Sequence, residues 1–421
     1  MAEHRRLHRH PGAALGNGQD PIPVQGGTKM TTSQRNETTI AGDRRDAVLS
    51  PPDLPDDKRE NRFDRVMAMA ASFFRMDQAA IVLAGRDSPL VKGQFGDDLV
   101  RPAFSGSFTE TQTLLVIEDA STDPRFAGNS IVDDPNSVRL YVSIPLRSPG
   151  GEPIGTFTMS STRTRLFSEA ERTHVQRIAT WLEEELAYQS EMTRAAEVQY
   201  ALRPKIEVKL SGYEVVGTST PSRAVGGDFF DWYPVPGGLG LTLADVMGKG
   251  VGAAILAATV RAVIRTAAGN WGVAGTVRRA ARLLELDLDG TESFVTLFHA
   301  HLRPDDGRLR YVDAGHGLTL IVRADGKSER LAQTDLPLGT GLELDWRRHT
   351  VWLNEGDTLI SFSDGVLDLF DGTLASLEDV ADIVRQTKTA AHAVSVLTMM
   401  AEHAESSDDV VVVAVRRKSA P

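Results

Sequence analysis

The amino-acid sequence predicts an α+β protein of two domains joined by a long helix, and three observations carry that reading. Apolar residues recur at helical spacing from Phe63 to Phe74 and are followed at once by the apolar run AAIVLAG, which sets a helix beside a buried strand. Ser168 and Glu171 make a capping box that opens a helix running to about Leu202, with Pro204 as its stop. Beyond residue 210 strands come in series while helices are grouped, the pattern of a sandwich of antiparallel sheets and not of a doubly wound parallel sheet.

Taken in order, residues 1–58 are polar, rich in Gly, Pro, Thr and Arg, and lack any apolar period; they are expected to form a disordered arm. The first domain spans 59–187. Its runs TLLVIEDAS, LYVSIPLRS and PIGTFTMSS read as strands, the last two separated by the hairpin-type turn Pro149-Gly150-Gly151-Glu152. The closing helix carries Val175, Ile178, Ala179, Leu182 and Leu186, and a helical linker continues over 188–210. Val175, Leu182 and Ala196 with Ala179, Leu186 and Tyr200 approximate a heptad seam that Gln189 and Thr193 interrupt. Two readings stand there: a parallel coiled coil that makes a homodimer, or one amphipathic helix lying on its own domain. The second domain, 211–418, has the strand-like runs YEVVGT, GLTLAD, FVTLFHAHL, LRYVDAG, LTLIV, TLISFSD and VVVVAV, with a turn at Asp305-Asp306-Gly307. Helices are expected at 251–267, 275–286 and 375–404, the last broken near Thr389.

Composition narrows the chemistry. The 421 residues carry a formal charge of −11, which disfavours nucleic acid or an anionic membrane as a partner. No run approaches ~18 consecutive apolar residues, and the first residues are charged where a secretory signal needs an apolar stretch, so a cytoplasmic protein is expected. Cysteine is absent, which removes thiolate nucleophiles, thiolate metal sites and disulfides.

The stretch LADVMGKGVGAAILAA places Lys249 between two glycines, yet it is no phosphate-binding P-loop. That loop needs a glycine five residues before Gly248, where Leu243 stands, and a hydroxyl after the lysine, where Gly250 stands. What survives is Asp245, at a strand end before a turn that Gly248 and Gly250 ease. Asp228 follows two glycines, Asp364 closes TLISFS before Gly365, and Asp408 and Asp409 precede the terminal strand. Any one of these is ordinary turn chemistry. Together, in one cleft, each pair at ~4 Å would repel by ~4 kcal/mol at an effective dielectric of about 20, which calls for cations. Ligation by oxygen alone points to Mg²⁺ or Mn²⁺ and away from zinc.

Residues 60–186 resemble a GAF sensor domain in RFDRVMAMAASFF, AAIVLA, IEDASTDPRFAGN, SIPLRSPGGEPIGTFTM and RLFSEAERTHVQRIATWLEEEL. Residues 211–417 resemble the PPM-type metal-dependent serine/threonine phosphatases, in the bacterial branch of stage II sporulation protein E and the sigma-factor regulatory phosphatase U. That likeness lies in VGGDFFDWY, LADVMGKGVGAAILAA, VDAGHGLTLIV, LPLG, LNEGDTLISFSDGVLD and SSDDVVVVAVR, in order, preceded by the Gln-x-x-Leu-x-Pro segment VQYALRP.

These resemblances imply an αββα phosphatase sandwich behind an antiparallel GAF sheet with helices. They imply two ions, Mn²⁺ or Mg²⁺: Asp245 bridging both with the Val246 carbonyl as a further ligand, Asp228 at one, Asp364 and Asp408 at the other, and Asp409 also in the metal-binding set. Asp228, Asp245 and Asp364 are the catalytic set, and Asp231 is expected to orient a water. The implied activity is hydrolysis of phosphoserine or phosphothreonine on a regulatory protein of the anti-anti-sigma type, by metal-activated water and under GAF control. The GAF domain is expected either to bind a small molecule or to serve structure and dimerisation alone. A catalytically inactive phosphoprotein-binding scaffold is the alternative. His316 in AGHG reads as a turn residue in preference to a ligand, and Lys249 as turn chemistry within reach of phosphate. Asp313 and Leu318 stand where the family has Asn and Pro, Asp368 where it has Glu, and valines where it has a Thr after the final acidic pair.

Overall fold

Among the described residues, alternating and helical apolar patterns give three five-stranded antiparallel sheets with helices against them. The computed structural model describes residues 57–85, 89–96, 113–124, 137–204, 210–331, 335–341, 345–404 and 408–419; the expected disordered arm lies outside them but for its last two residues.

In the N-terminal domain helix α1 (Asp57–Phe74) turns Phe63, Met67, Ala70 and Phe74 into the core. Strands β1 (Gln78–Leu83), β2 (Leu90–Phe95), β3 (Leu115–Ile117), β4 (Leu140–Arg147) and β5 (Pro153–Ser161) form a sheet in the order β2-β1-β5-β4-β3. The β4–β5 hairpin turns at Pro149-Gly150-Gly151-Glu152, as the sequence predicts. Helix α2 (Glu169–Leu202) is continuous for 34 residues, roughly 50 Å, so closing helix and linker are one rod. Its capping box is present: Glu171 N donates to Ser168 Oγ (3.3 Å) and Ser168 N to Glu171 Oε2 (2.8 Å). Val175, Ala179, Leu182 and Leu186 are buried in this domain's own core, so the first half of the heptad seam is filled from within the chain. Of the predicted seam only Ala196 and Tyr200 lie outside that core.

The C-terminal domain is a sandwich. One sheet has the order β13-β10-β9-β8-β7, built from β7 (Phe229–Val235), β8 (Gly238–Val246), β9 (Val295–Arg303), β10 (Arg308–Ala314) and β13 (His349–Trp352). The other has the order β12-β11-β14-β15-β6, from β6 (Tyr213–Thr220), β11 (Thr319–Val322), β12 (Ser328–Arg330), β14 (Thr358–Phe362) and β15 (Val410–Arg417). Leu239, Leu241 and Leu243 of β8 meet Val411, Val413 and Val415 of β15 between the sheets. The alternate residues Ala244 and Val246 pack under α3 (Val251–Ala268) and α4 (Val273–Gly290). On the far side Val410, Val412 and Ala414 pack under α5 (Ser376–Gln386) and α6 (Ala390–His403). This is the predicted αββα order, and the expected break near Thr389 is real: its side chain caps α6. Strands β2, β7, β12 and β13 are additions to the sequence reading. Polar or proline-bearing stretches such as FFDWYPV and SER lack the apolar alternation that marks a strand, and sheet pairing alone orders them.

Removing the α2 cap by Ser168→Ala is expected to lower the stability of the N-terminal domain by about 1 kcal/mol, read as an earlier thermal unfolding transition. A transition unmoved by the substitution would show that the cap is not holding the start of the rod.

Candidate metal centre

Strand alternation decides which side chains meet at one end of the sandwich. On β8 the inward positions 239, 241 and 243 continue to Asp245; on β7 the inward Phe230 and Trp232 point back to Asp228; on β15 the inward Val411 points back to Asp409. Antiparallel pairing puts Phe229 opposite Ala244, Phe362 opposite Val412 and Val410 opposite Thr220. The starts of β7 and β15 and the ends of β8, β14 and β6 therefore share one rim. Asp364 begins a 3₁₀ turn (Asp364–Leu369) just past β14, on the same rim.

Glycine makes the close approach possible. A Cβ at Gly226 would stand 1.9 Å from Asp409 Oδ2, one at Gly227 2.6 Å from the Val246 carbonyl oxygen, and one at Gly365 2.3 Å from the Asp409 carbonyl oxygen. Gly248 and Gly250 have φ of +105° and +81°, the left-handed region that the turn after Asp245 requires. Ser222, on the loop from β6 to β7, donates to Asp409 Oδ1 from both its backbone nitrogen (2.8 Å) and its hydroxyl (2.9 Å). Gln199 of α2 clamps the same loop: its Nε2 donates to Gly226 O (2.7 Å) and Gly226 N donates to its Oε1 (3.1 Å).

The electrostatics follow from crowding. Burial, then the charge of Asp245 and a hydrogen bond to it, hold the Asp228 carboxyl well above the usual range. Asp245 is raised as well, by burial first, although it accepts that bond and Lys249 favours its charge. Asp364, at the solvent-facing edge, is pushed up to about 6 by desolvation and then by Asp245 and Asp408. Lys249 Nζ pairs with Asp408 Oδ2 at 3.0 Å. A hydrogen bond between two carboxyls and a lysine drawn to a third are how such a cluster offsets its own repulsion. The donor set, all carboxylate and carbonyl oxygen, fits a hard divalent ion. Among the described residues, however, no three acidic or imidazole groups stand at the spacing of one ion's ligands, because Asp408 turns to Lys249 and Asp409 to Ser222.

Other expectations resolve individually. Asp231 points to the outer face of its sheet and is buried against Arg261 (3.2 Å) and Arg265 (3.2 Å) of α3, so its water-orienting role is corrected to an ion pair that ties β7 to that helix. His316 is buried, its Nε2 3.2 Å from Ser361 Oγ, and desolvation lowers it to about 3; it is a neutral turn residue, as expected. Asp313 explains its departure from Asn: one carboxyl accepts from His316 N (2.8 Å) and Gly317 N (2.9 Å) and closes the turn. Lys249 serves Asp408 and thereby the cluster itself. Sequence reasoning passed over Ser222, which no local signal marks, and noted Gln199 only within its motif.

Residues 58–186 match the family model of the GAF domain, and residues 236–418 match that of stage II sporulation protein E (SpoIIE). The chain joins a GAF domain to a SpoIIE-type domain. Among curated proteins it is similar to the phosphoserine phosphatase RsbU of Bacillus subtilis (strain 168), 25% identical over 182 residues, which is 42% of this chain and 54% of RsbU. It is also similar to protein IcfG of Synechocystis, 26% identical over 207 residues, covering 42% of this chain and 32% of IcfG. The chain thus spans about half the length of one relative and a third of the other. Among solved structures it is similar to the SiaA-PP2C domain of Pseudomonas aeruginosa, with 20% identity and a TM-score of 0.48 over 55% of this chain and 98% of that one. The SpoIIE match opens at Pro236, after the Asp228 loop and β7, so the structure adds to the SpoIIE-type domain the strands and loop that complete its carboxylate rim.

Gly226→Ala is expected to destabilise the SpoIIE-type domain by about 1–3 kcal/mol in denaturant titration, since its methyl would enter the Asp409 carboxylate. Gly252→Ala, exposed on α3 with nothing within 4 Å of the new carbon, is expected to be neutral or stabilising by up to about 1 kcal/mol. Equal effects at the two positions would contradict the packing argument.

Proposed function

We propose that this protein is a divalent-metal-dependent protein serine/threonine phosphatase that acts on a phosphorylated regulatory protein of the anti-anti-sigma type. The observation that carries the reading is the gathering of Asp228, Asp245, Asp364, Asp408 and Asp409 on one rim, with the first three raised above ordinary carboxylates. The likeness to RsbU, named a phosphoserine phosphatase, supports the substrate class.

Asp245 and the Val246 carbonyl would hold two ions between them, Mn²⁺ or Mg²⁺, with Asp228 at one and Asp364 and Asp408 at the other. When bound, such ions make water acidic enough to attack phosphorus near neutral pH and offset charge on the phosphoryl group. The chain's own part is placement. Gly226 and Gly227 let the Asp228 loop close on Asp409 and the Val246 carbonyl, Ser222 fixes Asp409, and Lys249 holds Asp408. The absence of cysteine agrees with hydrolysis that forms no thiophosphate intermediate.

Regulation would pass along α2, which begins in the GAF core and ends with Gln199 on the Gly226 backbone. A shift of this rod moves the loop that presents Asp228. Trp181, Tyr188, Val198 and Tyr200 stand exposed along it, surface that a second copy of the chain could cover. One observation favours the non-catalytic scaffold: Lys249 already neutralises Asp408. Turnover decides between the two readings.

Asp245→Ala and Asp364→Ala are expected each to cut Mn²⁺-dependent hydrolysis of an aryl phosphate by at least about 100-fold. Activity that survives in both variants removes the metal-centre reading, and a wild-type protein that turns over nothing with any divalent ion supports the scaffold. Gln199→Ala, which removes two hydrogen bonds from Gly226, is expected to weaken Mn²⁺ binding roughly tenfold in calorimetry. Unchanged affinity would disconnect the rod from the metal centre.

A further inference from the structure

The outer face of the β7–β10 sheet changes character along its length. Near the carboxylate rim its residues are apolar and lie under α3 and α4: Val295 and Leu297 on β9, Val312 and Ala314 on β10. Toward the opposite end, past the buried His299, the same face reads His301 and Arg303 on β9 and Arg310 and Arg308 on β10, which line a cavity. The cavity measures about 930 Å³, within the usual range for small-molecule sites.

Its wall is strongly cationic in a chain whose net charge is −11. Arg278, Arg303, Arg308, Arg310, Arg347 and Arg348 line it, against the two aspartates Asp305 and Asp345. Asp345 is taken by Arg278 at 2.6 Å, and Asp305 lies 3.9 Å from Arg303. Among the described residues the guanidinium groups of Arg308, Arg310, Arg347 and Arg348 form no ion pair. They crowd one another instead: Arg308 first, then desolvation, Arg348 and Arg303 lower Arg310 below an ordinary arginine. Asp306, 3.6 Å from Arg303, offsets only part of this positive charge, and an anion in the cavity would relieve the rest.

Two further features converge on the same space. Gly272, Val273, Ala274 and Gly275 line the cavity with the first turn of α4, an 18-residue helix whose N-cap glycine offers no side-chain cap and whose first turn has no acidic residue. Its leading N–H groups and the positive end of its dipole are left to an outside anion. Beneath the arginines the His301 Nε2 atom is buried without a hydrogen-bond partner, and burial and Arg310 lower this histidine to about 4, leaving a neutral ring at the floor. Trp271, 56% exposed, adds a flat apolar wall.

We propose that this cavity, at the end of the sandwich opposite the carboxylate rim, binds a small ligand carrying two or more phosphoryl groups. Guanidinium forks take phosphoryl oxygens in pairs, the helix N-terminus takes another, and the cavity admits a small molecule. The site is independent of the phosphatase reading, since none of its residues lies on the carboxylate rim.

The test is calorimetry on the full chain in EDTA with orthophosphate, pyrophosphate and guanosine triphosphate as probes. Saturable binding of pyrophosphate or the triphosphate is expected, weakened at least tenfold in an Arg308→Ala, Arg310→Ala, Arg348→Ala variant and unchanged in Asp245→Asn. A triphosphate that binds more tightly than pyrophosphate, with the difference lost in Trp271→Ala, assigns a nucleotide; equal affinities assign inorganic polyphosphate. Because these arginines are surface groups that repel one another, the triple variant is expected to keep the wild-type unfolding transition. The proposal is overturned if no probe saturates, if the folded triple variant binds as the wild type does, or if Asp245→Asn loses binding to the same extent.

Discussion

Asp228 and Asp245 face each other where two sheets come together, both half-buried, so little of their charge is spread into bulk water. The neighbourhood is arranged around that repulsion. A hydrogen bond between the two, a lysine on Asp408 and two donors from Ser222 on Asp409 are three separate ways of lowering it. At an effective dielectric of about 20 each unscreened pair would cost ~4 kcal/mol, a large part of a domain's stability of roughly 5–15 kcal/mol. A cluster held under such terms is one that cations improve.

The glycines are the mechanical side of the same constraint. Carboxylates can be gathered only if backbone runs close behind them, and Gly226, Gly227 and Gly365 are the points where a side chain would intrude on Asp409 or Val246. The loop that holds two of these glycines is also the one that Gln199 grips. A helix rooted in the first domain thereby reaches the Gly226 backbone, two residues from Asp228. Coupling between the domains needs no longer path than a rigid helix and one side-chain amide. The same sheet that carries the aspartates at one end carries arginines at the other, so its two ends present opposite charge with an apolar, helix-covered middle between them.

Much of this was legible in the residues. The capping box, the hairpin at Pro149 to Glu152, the break at Thr389 and the sandwich order were set by short-range rules of capping, turn chemistry and apolar period. So were the aspartates at strand ends, since an acidic residue after an apolar strand and before glycine is visible locally. Strand β7 was not, because FFDWYPV has a buried aspartate whose charge is met by Arg261 and Arg265, thirty or more residues away.

The sequence by itself determined the helices, eleven of the fifteen described strands, their order and the identity of the five acidic residues, because these depend on neighbours within a few positions. Only the tertiary structure decided which of those residues share a rim, that Asp231 belongs to the helix side, and that GGD carries its glycines to admit Asp409 and the Val246 carbonyl. The same holds for the arginine cavity, whose lining comes from five separate stretches between Val235 and Arg348. Charge repulsion and close approach act through space, and the pairings that bring these groups together join positions as far apart as Ser222 and Asp409.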